Sequence, residues 1–259
     1  YSKAKFIFWT HNTDHFKWHN WEELNIDYTL RDKSIISKIV CLTEWHKQHY
    51  LKKYNCSEPK VISNGIDKST FIKTNKKNKN SFLWSSNLDR GCLELLKNWH
   101  MILECLPDAQ LSVCYPNYAN RVNPELIDEI KKYECDSVKI IGTLDQKSLH
   151  NKMMETEYWC YLTDYEETYC ITAIEMQYCN VIPIVSTVGG LNETVPYNIK
   201  IEKDSNRWYK LCNILSNITA SDKKKIIKKN YNFAKQQTWH AAALQWHDLI
   251  LKINNNNEV

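Results

Sequence analysis

Thr163-Asp164-Tyr165-Glu166-Glu167-Thr168-Tyr169-Cys170-Ile171-Thr172-Ala173-Ile174-Glu175-Met176 stands between two apolar runs. The run before it, Tyr158-Trp159-Cys160-Tyr161-Leu162, reads as a buried strand. The run after Asn180, Val181-Ile182-Pro183-Ile184-Val185, reads as the next strand. Residues 168–179 fit a helix between them. Strand, loop, helix and strand in this order form the unit of a parallel α/β sheet. Glu167 falls in the loop at the helix start, and Glu175 lies two turns on, about 12 Å along the axis. The helix is apolar nearly all round, which marks it as buried. A carboxylate in its middle therefore needs a partner.

Free amides at the start of such a helix, around Thr168, Tyr169, Cys170 and Ile171, can take a phosphate oxygen with the help of the helix dipole. Carboxylates on either side of that phosphate can accept from hydroxyl groups. A nucleotide sugar has this layout: ribose hydroxyls, a diphosphate, then sugar hydroxyls. A Glu that only caps a helix and a Glu paired with a structural lysine would give the same spacing.

The run Glu167-x7-Glu175, followed by Gly189-Gly190-Leu191-x-Glu193, resembles the donor-site motif of family 4 glycosyltransferases, which are retaining enzymes of the GT-B fold. The resemblance implies an α/β chain with two Rossmann-like parallel-sheet domains, the first one incomplete. It places Glu175 at the ribose and Glu167 at the transferred sugar. It also sets His11, which follows the strand Lys5–Thr10, in the cleft near that sugar, with His15 and His19 close by in sequence.

Outward from the motif, Phe82-Leu83-Trp84-Ser85-Ser86 reads as a strand and 92–106 as a helix, since Leu95, Leu96, Trp99, Ile102, Leu103 and Leu106 recur at helical spacing. Arg90 and Gly91 stand at the turn between them. Gly91 allows close backbone approach, and Arg90 offers a charge-assisted fork to phosphate. "SSNLDRG" resembles the family's phosphate-binding turn, with one departure: many members carry a second basic residue where this chain has Ser85-Ser86. Gly142 ends the strand Val138–Ile141, where open α/β sheets place ligands and the family keeps the nucleotide base. All five glycines (65, 91, 142, 189 and 190) fall at strand-exit turns.

The domains read as 1–72, a partial acceptor-side domain; 73–81, a polar linker; 82–220, the nucleotide-sugar-binding domain; and 221–259, closing helices that return to the first domain, with a disordered tail. Thr43 is a candidate cap for a helix over 44–54, and 21–38 reads as partly helical. The chain does not begin with Met and enters a strand almost at once, so it reads as a piece of a longer protein.

Composition adds bounds. A net charge of +4 demands no nucleic acid, and the lysines form neither an aromatic-basic pattern nor a basic amphipathic face. Association with a membrane surface is left open. Ten cysteines without a C-x-x-C pair or zinc spacing read as reduced thiols of a cytoplasmic, reducing compartment. No apolar run reaches the length of a membrane span. No Asp-x-Asp occurs, so no metal is expected and the diphosphate charge falls to Arg90 and helix amides. The expected activity is metal-independent transfer of a sugar from a UDP- or GDP-linked donor to a glycan or other hydroxyl, with retention of configuration and no cofactor. The rival reading is a module that binds a nucleotide sugar without transferring it.

Overall fold

The computed structural model describes residues 4–13, 35–54, 56–71, 76–116, 123–197 and 199–255. His15, His19, most of the 21–38 segment and the tail from residue 256 lie outside the described residues.

Two parallel sheets form the frame. The first has the order β1-β2-β3, with β1 at Ile7–Trp9, β2 at Lys38–Cys41 and β3 at Lys60–Val61. Helix α1, Glu44–Lys53, connects β2 to β3. Thr43 caps it as expected, its hydroxyl accepting from the His46 amide at 3.1 Å.

The second sheet has six strands: β4 Ser81–Trp84, β5 Gln110–Cys114, β6 Val138–Gly142, β7 Tyr158–Tyr161, β8 Ile182–Ser186 and β9 Ile199–Ile201. Their order is β6-β5-β4-β7-β8-β9, with every pairing parallel. The central strands are buried along their length, which is why they read as unbroken apolar runs. Aromatic rings fill the middle: Trp159 stacks on Tyr161 and Phe82 on Tyr158, each at 4.9 Å. From β4 the chain builds to one side through β5 and β6, then returns to β4's other side at β7. The connections leaving β4 and β7 therefore diverge, and a crevice opens beyond their carboxyl ends.

Helices cover the larger sheet: α2 Cys92–Lys97, α3 Trp99–Cys105, α4 Pro124–Lys131, α5 Gln146–Glu155, α6 Ile171–Tyr178, α7 Leu191–Thr194, α8 Arg207–Asn217 and α9 Ala220–Ala234. The single helix expected over 92–106 is two, broken at Asn98, whose side-chain amide donates to the Glu94 carbonyl at 2.8 Å and competes with the helical bonds. Helix α10, Trp239–Asn254, packs Ala242, Leu249 and Ile253 against Val40 and Ile62 of the first sheet. Its approach runs beside Gly65. The Ile66 amide donates to the Gln237 carbonyl at 3.0 Å, and a Cβ on Gly65 would lie 2.1 Å from the Thr238 backbone.

The polar stretch read as a linker contains an anchor. Lys77 Nζ donates to the carbonyls of Met153 (3.3 Å), Thr156 (2.7 Å) and Cys179 (2.6 Å), at the ends of α5 and α6. Burial lowers its pKa to about 8, against the opposing pull of Cys179 and Glu157. The folded state thus binds this proton less tightly than the unfolded chain. Between about pH 8 and the ordinary lysine value of 10.5, stability rises with pH. Urea unfolding of wild type and Lys77→Met across this window should show wild type gaining on the variant by up to about 1.4 kcal/mol per pH unit. Parallel pH profiles would show that Lys77 titrates alike in both states.

Candidate functional site

The crevice at the switch point is a cleft of about 280 Å³ lined by Ser85, Ser86, Asn87 and Arg90 beyond β4, Cys114, Tyr115 and Pro116 at the end of β5, Leu144 beyond β6, and Leu149 and Thr172 on α5 and α6. Gly142 (φ +81°) ends β6 beside Tyr115, whose amide donates to the Gly142 carbonyl at 3.1 Å. Gly91, at φ +112°, turns the chain from the Leu88–Arg90 turn into α2.

Arg90 Nη1 reaches Glu167 Oε1 at 2.8 Å. The Tyr161 hydroxyl donates to the same oxygen at 2.7 Å, and the Tyr165 ring lies 4.2 Å from the guanidinium carbon. Glu167 is 4% exposed. Burial lifts its carboxyl above the usual range, with Arg90 and Tyr161 offsetting part of the rise. Burial also opposes the Arg90 charge, but Glu167, with Tyr161 and Tyr165, more than compensates and holds the guanidinium protonated. The two expected site residues therefore meet directly. Neither Tyr161 nor Tyr165 was singled out in the sequence. Tyr161 sits inside a run whose composition announces only a core strand.

The expected helix start moves. Helix α6 begins at Ile171, with Cys170 as its cap residue, so Thr168 and Tyr169 belong to the preceding loop. Their hydroxyls and the Thr168 carbonyl bind residues beside the first sheet. The Thr168 hydroxyl donates to the His11 carbonyl at 2.7 Å, and its carbonyl accepts from Thr43 Oγ1 at 2.9 Å. The Tyr169 hydroxyl donates to the Asn64 carbonyl at 2.8 Å. The Cys170 thiol is buried and pushed far up by that burial, then by Glu167. His11 is thus brought to the Glu167 loop through its backbone. Its ring packs 4.4 Å from Trp9, and partial burial lowers its pKa.

Glu175 lies one turn beyond Thr172 on the same helix face. Its Oε1 is 3.2 Å from His150 Nε2, and the His150 ring stacks on Phe71 at 3.9 Å. The partner required for a mid-helix carboxylate is a histidine of α5. Glu193, read with the glycine pair as part of the donor motif, caps α1: Oε2 accepts from the Glu44 amide at 2.8 Å and Oε1 from Trp45 at 2.6 Å. Close by, the Gly190 amide donates to the Glu167 carbonyl at 2.6 Å, and a Cβ on Gly190 would meet the Thr168 carbonyl at 2.7 Å. Among the described residues no cluster of histidine, cysteine and acidic side chains could hold a metal, and no helix is long and apolar enough to cross a membrane.

No protein-family model and no curated protein matches the chain. Solved structures match it closely in fold. A sucrose-phosphate synthase from Thermosynechococcus elongatus aligns over 97% of this chain and 68% of its own, at TM-score 0.77 and 16% identity. For a glycosyltransferase from Rickettsia africae the coverages are 98% and 72%, at TM-score 0.74 and 16% identity. Anabaena HepE, solved with UDP and glucose, aligns over 95% of this chain and 71% of its own, at TM-score 0.73 and 14% identity. The architecture is the α/β, parallel-sheet GT-B fold of these glycosyltransferases.

Glu193→Gln replaces a carboxylate on two amide donors by a group with one acceptor oxygen. The expected cost is about 1 kcal/mol, the typical worth of a helix cap. Hydrogen exchange should quicken at the Glu44 and Trp45 amides and, through the shared contacts, across 167–170. Faster exchange confined to α1 would show that the cap does not support the Glu167 loop.

Proposed function

We propose that this chain binds a nucleotide sugar at the switch-point cleft and transfers its sugar to a hydroxyl of a glycan or glycoconjugate, as a retaining, metal-independent glycosyltransferase of family 4 type. The observation that carries the reading is the Arg90–Glu167 pair at the carboxyl ends of β4 and β7, beside the cleft, in a GT-B fold. A cation and a carboxylate in contact can serve adjoining parts of one ligand. Arg90 turns to the diphosphate, as charge-assisted hydrogen bonding favours, and Glu167 meets hydroxyls of the transferred sugar. Thr172 and the first amides of α6 face the same phosphates. Glu175, one turn further, is assigned the ribose. Tyr115, Leu144 and Leu149 provide the flat and apolar walls that suit a base. The UDP and glucose of HepE are consistent with such an occupant.

The loss of the sugar–phosphate bond leaves negative charge on the diphosphate. In this reading Arg90 and the helix amides stabilise that charge electrostatically, without a divalent ion. Ser85 and Ser86, standing where a second cation is common, contribute hydroxyl groups only, so Arg90 bears the charge largely alone.

Calorimetry with UDP and GDP, with and without EDTA, tests the binding half. Affinity should survive chelation, and Arg90→Ala should lose about 1.5–3 kcal/mol, the range for hydrogen bonds to charged groups. Glu175→Gln should weaken the bare nucleoside diphosphate. Glu167→Gln should spare it and reduce affinity for the intact nucleotide sugar, together with any transfer. Binding that collapses in EDTA would overturn metal independence. Equal losses for both glutamate variants with both ligands would overturn the division of roles.

A further inference from the structure

Tyr161 ends β7 with its side chain fully buried. Its ring is clamped by neighbours, stacked on Trp159 at 4.9 Å and tilted against Trp84 at 5.3 Å. Packing, not the hydroxyl, therefore sets where the phenol points. The hydroxyl donates to Glu167 Oε1 at 2.7 Å and lies 3.3 Å from Ser86 Oγ. Since its only proton goes to Glu167, the contact with Ser86 is one in which Ser86 donates. Ser86 lines the cleft. A chain of hydroxyl groups thus runs from the cleft wall to the carboxylate.

The two donors on Glu167 Oε1 differ in what holds them. Arg90 hangs from a turn, its side chain 26% exposed and lining the cleft. It is the donor that an anion can draw away. Tyr161 is fixed in the core and has nowhere to go. Resting on the nucleotide-sugar reading above, we propose that Tyr161 is a positioning residue. It holds the Glu167 carboxylate in place and charged when a bound diphosphate takes Arg90, and Ser86 orients its hydroxyl.

Other groups around Glu167 do not replace it. Tyr165 faces Arg90 rather than the carboxylate, by the ring stacking above. Cys170 at the start of α6 is a buried, protonated thiol. Burial, followed by the neighbouring Glu167, raises the Tyr161 phenol well above its ordinary range, so it is a hydrogen-bond donor throughout the physiological interval. Burial already lifts the Glu167 carboxyl, and removing the Tyr161 hydroxyl takes away one of the bonds that favour its ionised form. The carboxyl then protonates at higher pH. The loss becomes larger once Arg90 is withdrawn.

Tyr161→Phe preserves the stacked ring and deletes only the donor. Two measurements test the proposal. The first follows the Glu167 carboxyl by carbon-13 NMR against pH in the ligand-free wild type, Tyr161→Phe, Arg90→Ala and the double variant, with Arg90→Ala standing in for an anion that removes the cation. Tyr161→Phe should move the titration to higher pH, and further in the Arg90→Ala background. The second is calorimetry with UDP or GDP and with the matching UDP- or GDP-glucose. Tyr161→Phe should hold nucleoside diphosphate affinity within about twofold. The gain in affinity contributed by the sugar should fall about ten- to a hundredfold, and its acid limb should shift to higher pH. Ser86→Ala should reproduce the shift in weaker form. An unmoved Glu167 titration, or equal losses for both ligands, would overturn the assignment. A shifted titration in a protein that binds no nucleotide would uphold the Tyr161 assignment at Glu167 and overturn the nucleotide-sugar reading instead.

Discussion

Thr168 is held by residues beside the first sheet through its hydroxyl, which donates to the His11 carbonyl, and its carbonyl, which accepts from the Thr43 hydroxyl. These bonds fix the residue that follows Glu167, and the Gly190 amide fixes the Glu167 carbonyl itself. A loop at a switch point has no sheet ladder to hold it. Its backbone groups must find partners elsewhere, and here the Glu167 carbonyl finds Gly190 and the Thr168 carbonyl finds Thr43 beside the first sheet. The Arg90–Glu167 contact depends on that arrangement, because Arg90 can meet the carboxylate only where this loop puts it. The loop is thus held partly from the first sheet, while the carboxylate itself is held by Arg90 and Tyr161 of the larger one.

The centre of the frame was legible because β7 and β8 are buried on both faces. Tyr158-Trp159-Cys160-Tyr161-Leu162 and Val181-Ile182-Pro183-Ile184-Val185 read as strands from apolar content alone, and β7 and β8 lie within a residue of those bounds. Errors collected where a polar side chain or a tertiary bond overrode local preference. Residues 168 and 169 read as helical by composition, yet their hydroxyls and the Thr168 carbonyl bond to His11, Asn64 and Thr43, and α6 starts later. Asn98 looked like one more position of a continuous helix, but its amide competes for the Glu94 carbonyl. Lys77 looked like solvated linker because nothing in a lysine-rich polar stretch says which ammonium is buried.

For the candidate site, one-dimensional pattern revealed the groups that need special residue types at turns. Arg90 after a strand and Gly91 and Gly142 at positive φ are of this kind. It was silent on contacts made by core residues that also carry a polar tip. Tyr161 is the clearest example, since a tyrosine in a buried strand has the same appearance whether or not its hydroxyl reaches Glu167. Glu193 shows the converse. Its motif pointed to the ligand, whereas its carboxylate sits on amides of α1. Only the folded chain brings residue 193 to residue 44.

The crossing at Gly65 has a mechanical consequence. The chain leaves the first domain after Ile66 and comes back at Gln237, and the two passages lie side by side, joined by the Ile66–Gln237 hydrogen bond. The larger sheet is therefore joined to the first by two passages of chain that run side by side, so the ends of the whole unit between them are held together at one place. If the bonds to Thr168 and Glu193 open, their partners remain at an effective concentration on the order of millimolar, as for ends joined by a short linker. Bonds too weak to join two free molecules therefore suffice to hold these two sheets together within one chain.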